Sequence, residues 1–163
     1  MIGVTLVSLE MTSPDELVPA RPPPAPLELE EVSACRPGLL RETYVRTFEP
    51  FGGGGRATWS DARWSEELAR PGVRAWVAKV DGDVAGLLEL EAEPEGDVGI
   101  VVLGLVPEFV GRGFGGALLT QATRLAWRLT PRTRRVWVQT SSNDHPHALA
   151  NYRRRGFRTF AKT

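Results

Sequence analysis

The chain has 163 residues, 42% of them apolar and 25% charged, with 20 basic and 20 acidic side chains and a formal net charge of zero. That is the composition of one ordinary globular domain long enough for a real core, and its neutrality argues against nucleic acid or a membrane surface as main partner. Cys35 is the only cysteine, which leaves no internal disulfide and no cysteine-based zinc site. The opening Met-Ile-Gly-Val-Thr-Leu lacks a basic region and a long apolar core, so neither a signal peptide nor a transmembrane helix is predicted, and a cytoplasmic location is expected.

Gly3 to Glu10 reads as a short strand. Ser13-Pro14-Asp15-Glu16 has the pattern of a helix start, with Ser13 as cap, Pro14 at the first position and Glu16 closing a capping box. Arg21 to Pro26 holds four prolines and is an extended connector, or a PxxP-type ligand. Residues 1–26 are thus an N-terminal extension to a single domain spanning 1–163. Leu27 to Val32 alternates apolar with acidic and predicts a half-buried strand. Pro37 to Phe48 has helical spacing, stopped by Gly52 to Gly55, which predicts a flexible lid or a disordered tip. Ser60-Asp61 caps a second helix through Trp64 and Leu68, whose tryptophans predict core packing.

A meander follows. Val73 to Val80, Val84 to Glu91 and Val98 to Val106 are strands, with Asp81-Gly82 a hairpin turn and Pro94 to Asp97 a second one. Pro107 to Val110 leads into Gly111-Arg-Gly-Phe-Gly-Gly116, after which Leu118, Leu119, Ala122, Leu125 and Ala126 recur at helical spacing. Arg135 to Thr140 is another strand, Pro146 to Arg155 a helix stopped by Gly156, and Phe157 to Phe160 the start of a last strand. The predicted architecture is mixed α/β: one largely antiparallel sheet flanked by helices.

A strand followed by a glycine-rich turn and a helix exposes unpaired backbone N–H groups at the positive end of the helix, which is where a phosphate binds. Gly111, Gly113 and Gly116 formally match G-x-G-x-x-G. That fingerprint belongs directly after the first strand of a parallel βαβ unit, whereas tight hairpins come first here. A turn with purely local use of glycine stays open as the alternative.

Val110-Gly-Arg-Gly-Phe-Gly115 resembles the Gln/Arg-x-x-Gly-x-Gly/Ala loop of the GCN5-related N-acetyltransferase superfamily, with Val110 in place of the usual polar residue. Asp144-His-Pro-His-Ala-Leu-Ala-Asn-Tyr-Arg-Arg-Arg-Gly-Phe157 is similar to that family's next conserved helix. Leu105 to Gly113, Val136-Trp137 and Asp144-His-Pro146 together resemble one bacterial branch. The resemblance covers roughly Val73 to Phe160. It implies the acyl-coenzyme A N-acyltransferase fold, acetyl-coenzyme A as cosubstrate, and direct attack by a primary amine of a small molecule or peptide in a ternary complex.

The resemblance also implies roles. Val110, Gly111, Arg112, Gly113, Phe114, Gly115 and Gly116 would cradle the pyrophosphate. Leu105 and Val106 would hold the pantetheine arm, and His145 would line the cofactor cleft. Tyr152 would protonate the leaving thiolate, for which a phenol of ordinary pKa is well matched. Glu89 is the candidate general base, with Glu91 on its face of the strand; relatives in the branch often carry a glutamate where Gly99 stands. His145 and His147 form His-x-His without a third ligand, so no metal is expected. Arg153 to Arg155 meet the 3′-phosphate or form a solvated helix end. The family usually ends in two strands after its second-motif helix, and this chain has length for about one; the strand around Val4 to Leu9 fills the vacant place or mediates a dimer. A noncatalytic acyl-coenzyme A-binding relative is the alternative function, and a dinucleotide-binding oxidoreductase a more distant one.

Overall fold

The computed structural model describes residues 4–142 and 144–163; Gly3, the predicted start of the first strand, lies outside them. Seven strands form one sheet: β1 (Leu6–Met11), β2 (Glu28–Val32), β3 (Val73–Val80), β4 (Asp83–Ala92), β5 (Asp97–Leu105), β6 (Arg135–Ser141) and β7 (Arg158–Lys162). Their order across the sheet is β2-β3-β4-β5-β6-β1-β7. Every neighbouring pair is antiparallel except β5 and β6.

The β3-β4-β5 meander forms as its turn residues dictate, with Asp81 and Gly82 both at positive φ in the first hairpin. β1 is inserted between β6 and β7, so an N-terminal strand holds the place beside β6, as expected. Burial along β1 alternates strictly, with Val7, Leu9 and Met11 in the core.

Helices cover both faces. α1 (Pro37–Phe48) and α2 (Asp61–Leu68) pack on one face, where Leu40, Tyr44 and Trp64 meet Val77, Leu87 and Val102. On the other face α3 (Gly115–Arg128) and α4 (Ala148–Arg154) bury Leu118, Leu119, Ala122 and Tyr152 against Leu90, Val98 and Ile100. Trp64 is fully buried, so the tryptophan-rich helix packs the core as expected.

Three predicted elements differ. The helix expected from Ser13 is a single 3-10 turn, Pro14–Glu16. Ser13 caps it, but Glu16 takes the N–H and hydroxyl of Thr12 rather than closing a box on Ser13, and the prolines that follow prevent propagation. α4 begins at Ala148, leaving Pro146 in the preceding turn. The glycine run is a defined turn and not a disordered tip: Gly53 N–H donates to Phe48 O at 2.8 Å, and Arg56 N–H donates to Tyr44 Oη at 3.2 Å. Gly54 lies against that same hydroxyl, where a Cβ would come within 2.5 Å of it.

The segment from β1 to β2 must cross the sheet, and it does so as a strap over α3. Ala20 N–H donates to Thr120 Oγ1 at 3.0 Å, and Gln121 Nε2 donates to Leu27 O at 3.0 Å. The proline-rich connector is therefore tied down at both of its ends.

Candidate active site

β5 and β6 pair only from Asp97 opposite Arg135 to Ile100 opposite Val138. Beyond that point β6 continues beside β1, while β5 continues beside β4. The parting has a local cause. Glu89 faces Val102 and Leu90 faces Ile100, so Val101 is an extra residue, and a bulge of that kind bends its strand. The gap exposes a backbone edge of β5 from Val101 to Leu105 in the middle of the sheet.

A cavity of about 900 Å³ runs through this gap. Its α3-side wall includes Leu105, Val110, Gly111, Gly113, Gly115, Gly116, His145 and Tyr152; its α1-side wall includes Tyr44, Thr47, Phe48, Phe51, Gly55 and Arg56. The glycine run that follows α1 and the glycine loop that precedes α3 therefore face one another across the sheet gap.

At the α3 end the N–H groups from Gly111 to Ala117 have no well-formed hydrogen-bond partner among the described residues. Gly111 and Gly113 sit at φ +75° and +89°, where a side chain is strained, and nothing stands within 4 Å of a Cβ on Gly111. Gly116 is a glycine for a different reason: a Cβ there would meet the strap's Ala20 at 2.8 Å and Arg155 Nη1 at 2.7 Å. Open N–H groups at the start of a fourteen-residue helix fit an anionic group such as a phosphate. Asn151 of α4 donates to Gly115 O at 3.2 Å and holds the two helices together there.

Not every residue expected in the cradle lies on it. Arg112 turns away, donating to Glu108 O at 3.1 Å and stacking over Phe109. Phe114 is buried beneath the loop, and Val106, fully buried, donates its N–H to Ala85 O at 2.8 Å; neither lines the cavity. Arg154 does line it, while Arg155 lies over Gly116.

Tyr152 is buried on α4 and faces the cavity. Burial, and then the charge of Asp144, pushes its phenol well above the ordinary value. The pKa match expected with a thiol is therefore not present; the phenol stays protonated at neutral pH and is a weaker acid than an exposed tyrosine. Asp144 is itself committed, its Oδ2 accepting from Thr140 Oγ1 at 2.8 Å and Ser141 N–H at 2.9 Å. His145 accepts the His147 N–H on Nδ1 at 3.0 Å, and burial lowers its pKa. Its free ring nitrogen thus carries the proton.

Glu89 is 1% exposed and lies behind the cavity wall, not on it. Arg56 stands in front, donating from Nη1 to Oε1 at 2.8 Å and from Nη2 to Oε2 at 3.1 Å. The same guanidinium reaches Glu67 at 3.4 Å and lies over the rings of Trp59 and Trp64, 4.5 and 5.0 Å from their centres. Arg70 bridges Glu67 and Glu91, each at 2.9 Å. Burial drives the Glu89 carboxyl up to about 7, with Glu67 adding to the shift and Arg56 opposing it. Gly99 has no room for the glutamate of the resembled branch, because a Cβ would meet the ring of Trp137 at 2.6 Å.

Sequence reasoning missed Arg56, Thr47, Tyr44 and Asn151. Arg56 follows an uninformative glycine run, and its partner Glu89 is 33 residues away. An acid in an otherwise apolar run, Leu87-Leu-Glu-Leu90, was the available signal.

Among solved structures, the fold is similar to a GCN5-related N-acetyltransferase from Sphaerobacter thermophilus: TM-score 0.70, 20% identity, over 98% of this chain and 49% of that one. An aminoglycoside acetyltransferase from an uncultured soil metagenomic sample, in complex with sisomicin, gives 0.61 and 19%, over 78% of this chain and 85% of that one. PaiA N-acetyltransferase from Thermoplasma acidophilum, in complex with coenzyme A, gives 0.52 and 19%, over 64% and 74%. The chain spans about half the length of the first structures it matches. No curated protein sequence matches it. The sequence model of the acetyltransferase (GNAT) family matches residues 39–157, most of the chain, and with the split sheet and open glycine loop in place the protein belongs to that family.

Proposed function

We propose that this chain moves an acetyl group from acetyl-coenzyme A to a primary amine by direct transfer in a ternary complex. The observation that carries this reading is the single cavity through the β5–β6 gap, with unpartnered N–H groups at one end and an aromatic wall at the other. The cosubstrate supplies an activated acyl group as a thioester. The N–H groups of Gly111, Gly113, Gly115 and Gly116 hold its phosphates, with Arg154 adding charge. The exposed edge of β5 near Leu105 holds the extended arm and donates to the carbonyl that gains negative charge. His145 lines the cleft where the two ends meet.

Tyr152 is the proton donor for the departing sulfur: it faces the gap and is protonated at working pH. Glu89 has a proton affinity suited to neutral pH but stands behind Arg56. Its part is to hold Arg56 in the wall, and since a guanidinium does not give up its proton, any exchange with the cavity runs through water. The bound coenzyme A and sisomicin of the two relatives support a coenzyme A cosubstrate and a small-molecule amine. A cytoplasmic location goes with this reading, and the Asp144-His-Pro146 motif supports membership of the bacterial branch it resembles.

Calorimetric titration with acetyl-coenzyme A, against NADH as comparison, tests the proposal. Binding of acetyl-coenzyme A alone is expected. Binding of NADH alone returns the glycine loop to a dinucleotide role, and binding of neither makes the loop structural.

A further inference from the structure

The α1 side of the cavity has a chemistry of its own. Tyr44, Phe48 and Phe51 supply an aromatic wall, and Phe51 meets the ring of His145 across the mouth at 5.6 Å. The only carboxylate bordering the cavity among the described residues is Asp144, and its Oδ2 already accepts two hydrogen bonds. The acids of the buried cluster, Glu67 and Glu89, are screened from the cavity by the Arg56 guanidinium.

Thr47 adds a second, independent observation. Thr43, Thr120 and Thr123 each return their hydroxyl to the carbonyl four residues back at 2.7 Å. Thr47 does not: its Oγ1 is buried without a partner, though the residue is 2% exposed and lines the cavity. Its methyl group packs on Gly104 of β5, 2.5 Å from where a Cβ would stand. A buried hydroxyl without a protein partner beside a cavity calls for an explanation, and a ligand atom is one.

We infer that the acceptor is a monoamine carried on an aromatic or apolar body, its nitrogen met by Thr47 Oγ1, and that polycationic amines are excluded. The inference rests on the acyl-transfer reading of the same cavity. A polycation needs an acceptor for each ammonium group it buries, and the α1-side wall holds a guanidinium and no carboxylate. An aromatic body gains by leaving water for Phe48 and Phe51. Thr47 is a positioning residue: its hydroxyl accepts a hydrogen bond from the amine and aims the nitrogen lone pair along the gap.

The test is calorimetric titration of the full chain with phenethylamine, spermidine and kanamycin, each with and without saturating coenzyme A. Phenethylamine is expected to bind at least tenfold more tightly than either polycation. Phe51→Ala should weaken it at least fivefold and leave coenzyme A affinity within twofold. Thr47→Val keeps the shape and removes the hydroxyl; it should weaken phenethylamine while holding or raising the melting temperature, whereas a purely structural hydroxyl would lower it. Tighter binding of spermidine or kanamycin, or no binding of phenethylamine in either state, overturns the inference. Failure of coenzyme A to bind while phenethylamine binds overturns the acyl-transfer reading instead.

Discussion

The two ends of the cavity are built from different materials. At the α3 end the functional groups are backbone N–H groups, presented by a loop whose glycines are set by dihedral angle and close approach. At the α1 end they are side chains: three aromatics, an orphaned threonine and an arginine held by buried acids. Backbone chemistry is the same in every sequence that folds this way, so one end suits a cosubstrate common to a whole family. Side chains change one at a time, so the other end is where an acceptor is chosen.

Breaking the buried ion-pair cluster is the strongest test of that contrast. Arg56→Ala leaves Glu89 uncompensated in the core, and should cost about 3–5 kcal/mol in urea denaturation. Arg56→Met with Glu89→Leu together should cost less than the single change, because no charge is left unpaired. A single substitution costing under 1 kcal/mol would mean the cluster opens to water.

Tyr152→Phe comes next in size. Turnover should fall by about 10²-fold or more, with acetyl-coenzyme A affinity unchanged, if the phenol is the acid. Unchanged turnover moves that role to another group, and absence of turnover in both proteins favours a noncatalytic binding role.

Gly116→Ala sharpens the comparison at the backbone end. The new methyl must displace Ala20 or Arg155, at a cost of about 1–3 kcal/mol in thermal unfolding. Ala20→Gly in the same chain should recover part of it if the strap is the obstacle. No recovery points to Arg155.

The last test is a pH dependence. The folded Glu89 carboxyl is raised from 4.5 to about 7, so its contribution to stability is full below about pH 4.5 and is lost as pH rises through 7. Between pH 5 and 8 the urea midpoint of the native protein should therefore decline more than that of Glu89→Gln. Equal declines would show that Glu89 titrates alike in the folded and unfolded chains.

The meander, the helices and the glycine loop were legible because each is written in neighbouring residues: alternation, helical spacing, Asp81-Gly82, and glycines at the entry to α3. The motif around Tyr152 was legible as resemblance, but its raised phenol was not, since burial and Asp144 act through space. Arg112 shows the limit within the loop itself. Its position near the phosphate site is local, whereas its direction follows from stacking on Phe109.

By itself, then, the chain's order of apolar, turn and glycine residues determined a mixed sheet with an open N–H loop at a helix start, because such features depend on contacts a few residues apart. Tertiary structure alone decided that β1 slots between β6 and β7, that the strap braces Gly116, and that Arg56 covers Glu89. Those outcomes join residues from 33 to more than a hundred positions apart. Their energies come from burial and exclusion of water, which no local pattern records.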